Sequence, residues 1–87
     1  MNKEIIKLIS NIQELAILVS NFTVHDVFVN YLGHVNKISV TAILDGYKKD
    51  VEFTNTVFID AYLDREINIV NKLKETEKAL SELLEVE

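Results

Sequence analysis

The spacing of apolar residues changes along the chain, and this change constrains the fold more than any other feature. Over residues 3–20 the apolar side chains recur every three or four positions, which is typical of one face of an α-helix. From Phe22 onwards the period becomes two, and β-branched and aromatic residues dominate, which indicates strands. We therefore expect a first helix over about residues 3–20, with Asn2 as its N-cap.

The dipeptide Asp45–Gly46 predicts a tight turn between two of these strands. A two-residue turn there pairs Val40 with Val51 and Ile38 with Phe53 on an apolar face, and it leaves the opposite face nearly all polar. A shift of one residue would mix the two sets, so the segregation supports this register. The predicted strands cover about residues 23–32, 35–44 and 47–56.

Helical spacing returns in the last third of the chain and predicts a long second helix over about residues 58–85. The apolar face of the sheet has to be covered, and the two helices are the covers that this chain offers. The expected fold class is therefore α+β, in the order α-β-β-β-α: a three-stranded antiparallel meander with two helices packed on its apolar face. With 87 residues the chain suffices for a single domain, residues 1–87.

Composition excludes several kinds of site. The chain has no cysteine, so disulfides and thiolate metal sites are excluded. Its two histidines and scattered carboxylates lack the spacing of a metal site, and its two glycines do not form a phosphate-binding loop. No serine has the context of a nucleophile. We expect no cofactor, no metal and no enzymatic activity.

Charge and hydropathy limit the partners and the compartment. The formal net charge of −5 disfavours nucleic acid, because affinity for phosphate comes from clustered basic residues. Asn11, Gln13 and Glu14 interrupt the apolar N-terminus, so we expect neither a signal peptide nor a membrane span. The composition, with one arginine against eight lysines, eight asparagines and ten isoleucines, is typical of AT-rich bacterial or phage genes. We expect a cytoplasmic protein.

Three ionisable residues are candidate polar anchors: His25, Glu66 and Glu77. At 100° per residue the two glutamates fall near the middle of the apolar stripe of the second helix, and His25 falls on the inward face of the first strand. Paired with a cation, such carboxylates would anchor a contact, and a His–Glu pair could exchange protons. Alternatively, the helix leaves the sheet near residue 71, the carboxylates are solvated and His25 is an ordinary rim residue.

A domain of this size buries a limited share of its surface, so a partner that adds buried area is expected. The first strand has few charges to protect its edge, whereas the third carries Lys48, Lys49, Asp50 and Glu52. Leu73, Thr76, Leu80 and Leu83 have the spacing of a short coiled-coil seam. The candidate interface residues are Val27, Phe28, Val29, Ile43, Leu73, Leu80, Leu83 and Leu84.

These observations predict a small protein-interaction module, homodimeric or a higher oligomer, whose second helix and first strand form the subunit contact. The alternative is an acidic inhibitor from a phage or mobile element that imitates nucleic acid on a host protein. A nucleic-acid binder would need a basic patch from Lys37, Lys48 and Lys49. An enzyme would need His25 and Glu66 to converge in one pocket.

Overall fold

The computed structural model describes residues 2–45 and 55–85. The strands form an antiparallel sheet in the order β1-β2-β3, and helices α1 and α2 pack on the same apolar face of that sheet. The predicted α+β fold with a β-meander is confirmed. The elements are α1 (Lys3–Phe22), β1 (Asp26–Leu32), β2 (Lys37–Ile43), β3 (Asn55–Tyr62) and α2 (Ile69–Glu85).

Helix α1 begins where its capping residue predicts. The Oδ1 atom of Asn2 accepts a hydrogen bond from the backbone N–H of Glu4 at 2.6 Å, which satisfies a donor that has no partner within the helix. At the other end, the backbone N–H and the hydroxyl of Thr23 both donate to the carbonyl of Val19, at 3.0 and 2.8 Å. Thr23 itself is extended, so the helix ends at Phe22.

The third strand lies later in the chain than the sequence predicts. Residues 46–54, which hold most of the strand predicted over 47–56, lie outside the described residues. The strand that pairs with β2 is β3, and the partner of Ile38 is Ala61 rather than Phe53. The run from Val57 to Leu63 is rich in β-branched and aromatic residues, and it buries every second residue at its end. The same run also fits helical spacing, and the helical interpretation is wrong.

Helix α2 is shorter than the predicted helix over 58–85. A turn separates it from β3, and Asn68 in that turn has a positive φ of 65°. The carbonyl of Asn68 accepts the N–H of Lys72 at 3.0 Å, which closes the first helical turn. With 17 residues, α2 is about 25 Å long, close to the length of an eight-residue strand. A helix over 58–85 would have been about 42 Å long and would have extended beyond the sheet.

The core lies between the two helices and the sheet. The six largest fully buried side chains are those of Ile12, Val19, Ile38, Val40, Leu73 and Leu80. Burial of each contributes roughly 1.5–3 kcal/mol to folding. Thr76 is the one buried polar residue among those described, and its hydroxyl donates to the carbonyl of Lys72 at 2.9 Å. This bond removes most of the cost of a buried hydroxyl.

Helix α1 passes a membrane-span criterion by length and composition alone. Length and composition alone therefore do not bear out the expectation that the chain has no membrane span. One face of this helix, which includes Ile12 and Val19, is buried against the sheet and α2. The compact arrangement, with a radius of gyration of 13.2 Å, favours a soluble protein.

Candidate interaction surface

Strand β1 lies at one edge of the sheet, and the backbone of Val27 shows which of its residues face outwards. The N–H of Val27 donates to Oγ of Ser20 at 3.0 Å, and this hydroxyl lies within 3.5 Å of the Val27 carbonyl. In an antiparallel ladder the N–H and C=O groups of alternate residues point to the same side. The backbone groups of Val29 and Tyr31 therefore face away from β2 as well. Within residues 2–45 and 55–85 these groups have no hydrogen-bond partner.

Beside this edge, helix α1 presents apolar side chains that the core does not cover. Ile6 and Ile17 are 49% and 53% exposed. On the neighbouring strand β1, Tyr31 is 48% exposed. A shallow pocket of about 350 Å³ lies between α1 and β1. We call the whole surface the α1–β1 flank, formed by Ile6, Ile9, Ser10, Gln13, Ile17, Val29 and Tyr31.

None of the seven residues that define the α1–β1 flank is charged, although 26% of the chain is charged, and Lys3 and Glu14 border the flank on α1. The nearest carboxylate along α1, that of Glu14, lines a groove between α1 and α2 instead. Large apolar side chains grouped in this way, with polar surroundings, mark a contact surface more often than isolated ones do.

A second, smaller apolar pair lies on the outer face of the sheet. Phe28 on β1 and Val57 on β3 are both exposed, and each pairs with Thr41 of the central strand β2. The register shifts by one residue between Val40 and Thr41, which re-aims this end of β3. Ile43 was expected to be exposed beside Phe28, but it is only 4% exposed and cannot belong to an open patch.

The predicted interface residues of the second helix are mostly internal. Leu73 and Leu80 are fully buried by the chain itself, and Leu83 packs against the same core. The predicted coiled-coil seam therefore packs within one chain, because the shorter α2 lies flat on the sheet beside α1. Leu84 stays partly exposed. Of the predicted strand residues, Val27 and Val29 are partly buried against the core and Phe28 is exposed.

The three predicted polar anchors lie apart. His25 stands just before β1, and its Nδ1 accepts the backbone N–H of Asp45 at 2.9 Å. Glu66 lies in the turn after β3, where it is bonded to Lys72. These positions are at opposite ends of the sheet, so the pair that an enzyme would need does not converge. Glu66 precedes α2 and so cannot interrupt its apolar stripe.

Glu77, the third anchor, lines the groove between α1 and α2. Its Oε2 accepts the amide of Asn11 at 3.4 Å. The groove has a volume of about 540 Å³, its apolar lining residues are Leu15 and Leu18, and its charged lining residues carry both signs. These charged residues are Glu14, Lys74, Glu77, Lys78, Glu82 and Glu85.

A cationic cluster occupies the far end of the outer face. Lys37 forms an ion pair with Asp60 at 3.0 Å, and its Nζ lies 5.5 Å from the ring centre of Tyr62, which Arg65 approaches to 4.9 Å. The hydrogen bond to Asp60, followed by the charge of Asp60, raises the pKa of Lys37 above 10.5. Lys48 and Lys49 lie outside the described residues. Of the predicted basic patch, the structure therefore describes Lys37, whose charge is balanced by that of Asp60.

Comparison of the chain with protein-family models, with curated proteins and with solved structures gives no match. Within the described ranges, no group of three or more histidine, aspartate or glutamate side chains is arranged to hold a metal ion. The α1–β1 flank, where exposed apolar side chains lie beside a strand edge, is therefore the surface from which a function can be argued. Sequence reasoning missed its helical part, Ile6 and Ile17, although the two lie 11 positions apart, which returns to nearly the same helix face.

Proposed function

We propose that this chain is a non-enzymatic, cytoplasmic protein-interaction module that acts as a homodimer. The observation that carries the proposal is the α1–β1 flank, with three half-exposed apolar side chains beside an open strand edge. The subunit contact is assigned to helix α1 and strand β1, in place of the second helix, whose leucines are internal.

The energetic argument starts from Ile6, Ile17 and Tyr31. Completing the burial of a large apolar side chain that is half exposed contributes about 1 kcal/mol, and a two-fold contact counts each residue twice. The gross gain is thus about 6 kcal/mol from these side chains, before the cost of association and the contribution of backbone pairing. A small domain with a limited core benefits from such a gain.

Charge favours a second copy as the molecule that covers the flank. Each chain carries a net charge of −5, so two copies repel each other over most of their surfaces. An approach through the α1–β1 flank brings together the seven uncharged residues of each copy. A partner with a basic surface would find no carboxylate to pair with there.

The alternative function, an acidic mimic of nucleic acid, has less support. Its best surface is the groove between α1 and α2, where Lys74 and Lys78 stand among the glutamates. A mimic needs a row of like charges at phosphate-like spacing, and these ammonium groups interrupt such a row.

The proposal is tested by measuring the solution mass of the wild-type chain with light scattering at micromolar concentration. The expected mass is twice the 10.0 kDa of the chain. Replacing Ile6 with lysine puts a charge into the contact twice, so the Ile6→Lys protein is expected to be a monomer.

The matched control is Ile67→Lys, which makes the same change at an 81% exposed isoleucine in the turn before α2. This variant is expected to keep the dimeric mass. A wild-type mass of one chain at every concentration, or equal masses for the two variants, would contradict the proposal.

A further inference from the structure

We infer that two copies join edge to edge through β1, as an antiparallel pair with Asn30 opposite Asn30 of the second copy. This pairing would turn two three-stranded sheets into one sheet of six strands. The inference rests on the proposed homodimer and specifies its geometry.

The register follows from the backbone groups that are open on the edge. Among the residues that the structure describes, the backbone groups of Val29 and Tyr31 face outwards from β1 and have no partner, whereas Val27 is already bonded to Ser20. Three symmetric registers use these groups, centred on Val29, Asn30 or Tyr31. A centre at Val29 would set Val27 against Tyr31 and break the bond to Ser20. A centre at Tyr31 would set Val29 against Gly33, beyond the end of the strand.

The register centred on Asn30 satisfies the open groups with each other. Val29 of each copy exchanges both backbone hydrogen bonds with Tyr31 of the other, while Val27 keeps its bond to Ser20. The residue that falls next to Val27 is Gly33 of the second copy, which has no side chain to meet Ser20. Asn30 then faces its own copy in a non-hydrogen-bonded pair, where Cα atoms are about 4.5 Å apart.

The helix layer fits the same two-fold axis. Tyr31, one residue from the axis, lines the shallow pocket together with Ile6, Ile9 and Ser10. Because α1 runs back along β1, the two copies of α1 meet in antiparallel orientation near their middles. Ile6 of one copy then approaches Ile17 of the other. Pairing of the strands therefore also covers the exposed isoleucines.

The opposite edge of the sheet is less suited to pairing. A depression beside β3 is lined by Asp60, Lys72 and Glu75, and such charges oppose the addition of another strand. Edge β1 has apolar side chains on the helix side and uncharged Asn30 on the outer face. A second copy suits this edge in two ways. Its own β1 edge offers unpaired backbone groups with the same uncharged side chains beside them, and its own α1–β1 flank offers apolar side chains.

Cysteine cross-linking tests the register, because the chain has no cysteine of its own. In the proposed pair, the Cα separation at position 30 falls within the range that disulfides tolerate, about 4.4–6.8 Å. Oxidised Asn30→Cys protein is expected to form a covalent dimer on a non-reducing gel. Paired thiols have an effective concentration near the millimolar range, so cross-linking should be roughly 1,000-fold faster than for unpaired thiols at micromolar concentration.

Phe28→Cys is the matched control, since Phe28 is exposed on the same face of β1. Phe28 would lie opposite Leu32 of the second copy, so its own copy is four residues away, about 13 Å. This variant alone should stay largely uncrosslinked. A mixture of Phe28→Cys and Leu32→Cys proteins should form the covalent heterodimer. Circular dichroism of the reduced variants confirms that each one folds.

The outcomes separate the register from the proposed function. A dimeric solution mass with no preferential cross-linking of Asn30→Cys would overturn the edge pairing and leave the homodimer standing. A monomeric mass throughout would overturn both. A monomer that co-sediments with phosphatidylcholine vesicles would also overturn both, because it would identify a lipid surface as the occupant of the flank.

Discussion

Replacing Leu80 with alanine tests whether the second helix is internal. Leu80 is fully buried between α2, α1 and the sheet. The change removes three carbon atoms, which corresponds to about 2.4 kcal/mol of transfer free energy, and the residual cavity raises the cost to about 3–5 kcal/mol. A domain of this length is stable by about 4–13 kcal/mol, so Leu80→Ala should remove a large part of the free energy of unfolding. The thermal midpoint should fall by roughly 15–30 °C.

The assay is urea unfolding followed by circular dichroism at two protein concentrations. Leu84→Ala is the control, because it makes the same change on the same helix at a partly exposed leucine, and it should cost about 1 kcal/mol or less. The reasoning is refuted if Leu80→Ala costs no more than Leu84→Ala. It is also refuted if Leu80→Ala folds normally but halves the solution mass, since Leu80 would then lie between subunits.

Further predictions concern the helix cap and the ion pair on the outer face. Asn2→Ala removes the acceptor for the N–H of Glu4 and should lower the free energy of unfolding by about 1 kcal/mol in a thermal melt, whereas Asn2→Asp should preserve it. The pKa of Lys37 is raised in the folded chain by Asp60, so the pair contributes stability at pH values below 10.5, the usual lysine pKa, and loses it as the pH rises through the folded pKa. Wild-type protein should therefore lose more stability than Lys37→Met across that range, and equal losses would contradict the assignment.

The parts of the fold that the sequence predicts are those with a single consistent period. Helix α1 has one apolar stripe and a capping asparagine, and both features appear in the structure. In β1 and β2 the alternation is clear, and in the structure Val27 and Val29 stand opposite Ala42 and Val40 on the helix side.

The position of β3 could not be read from the sequence, because the run around Ile59 and Leu63 fits a period of two and a period of 3.6 equally well. Which interpretation holds depends on pairing with β2, a contact between residues about 20 positions apart. The error at β3 propagated to the second helix. Once residues 55–62 form a strand, α2 starts at Ile69, Glu66 leaves the helix and Leu80 enters the core.

The sequence analysis placed the first strand in the candidate interface, but it did not place helix α1 there. The weak protection of β1 against edge pairing was visible from its single charge, that of Asp26. Exposure of Ile17 could not be inferred, because residues 15–19 are all apolar, and the adjacent pair Ile5 and Ile6 does not show by itself which of the two is covered. Only the packing of α2 against one side of α1 determines which of these side chains remain uncovered.

Amide hydrogen exchange by NMR at low and high protein concentration tests the central claim most directly. If two copies pair through β1, the amides of Val29 and Tyr31 will exchange more slowly as the concentration rises. The amide of Val27, which is bonded to Ser20 within one chain, will be protected at both concentrations. Fast exchange at Val29 and Tyr31 at every concentration, in a protein whose mass is that of a dimer, would contradict the edge pairing.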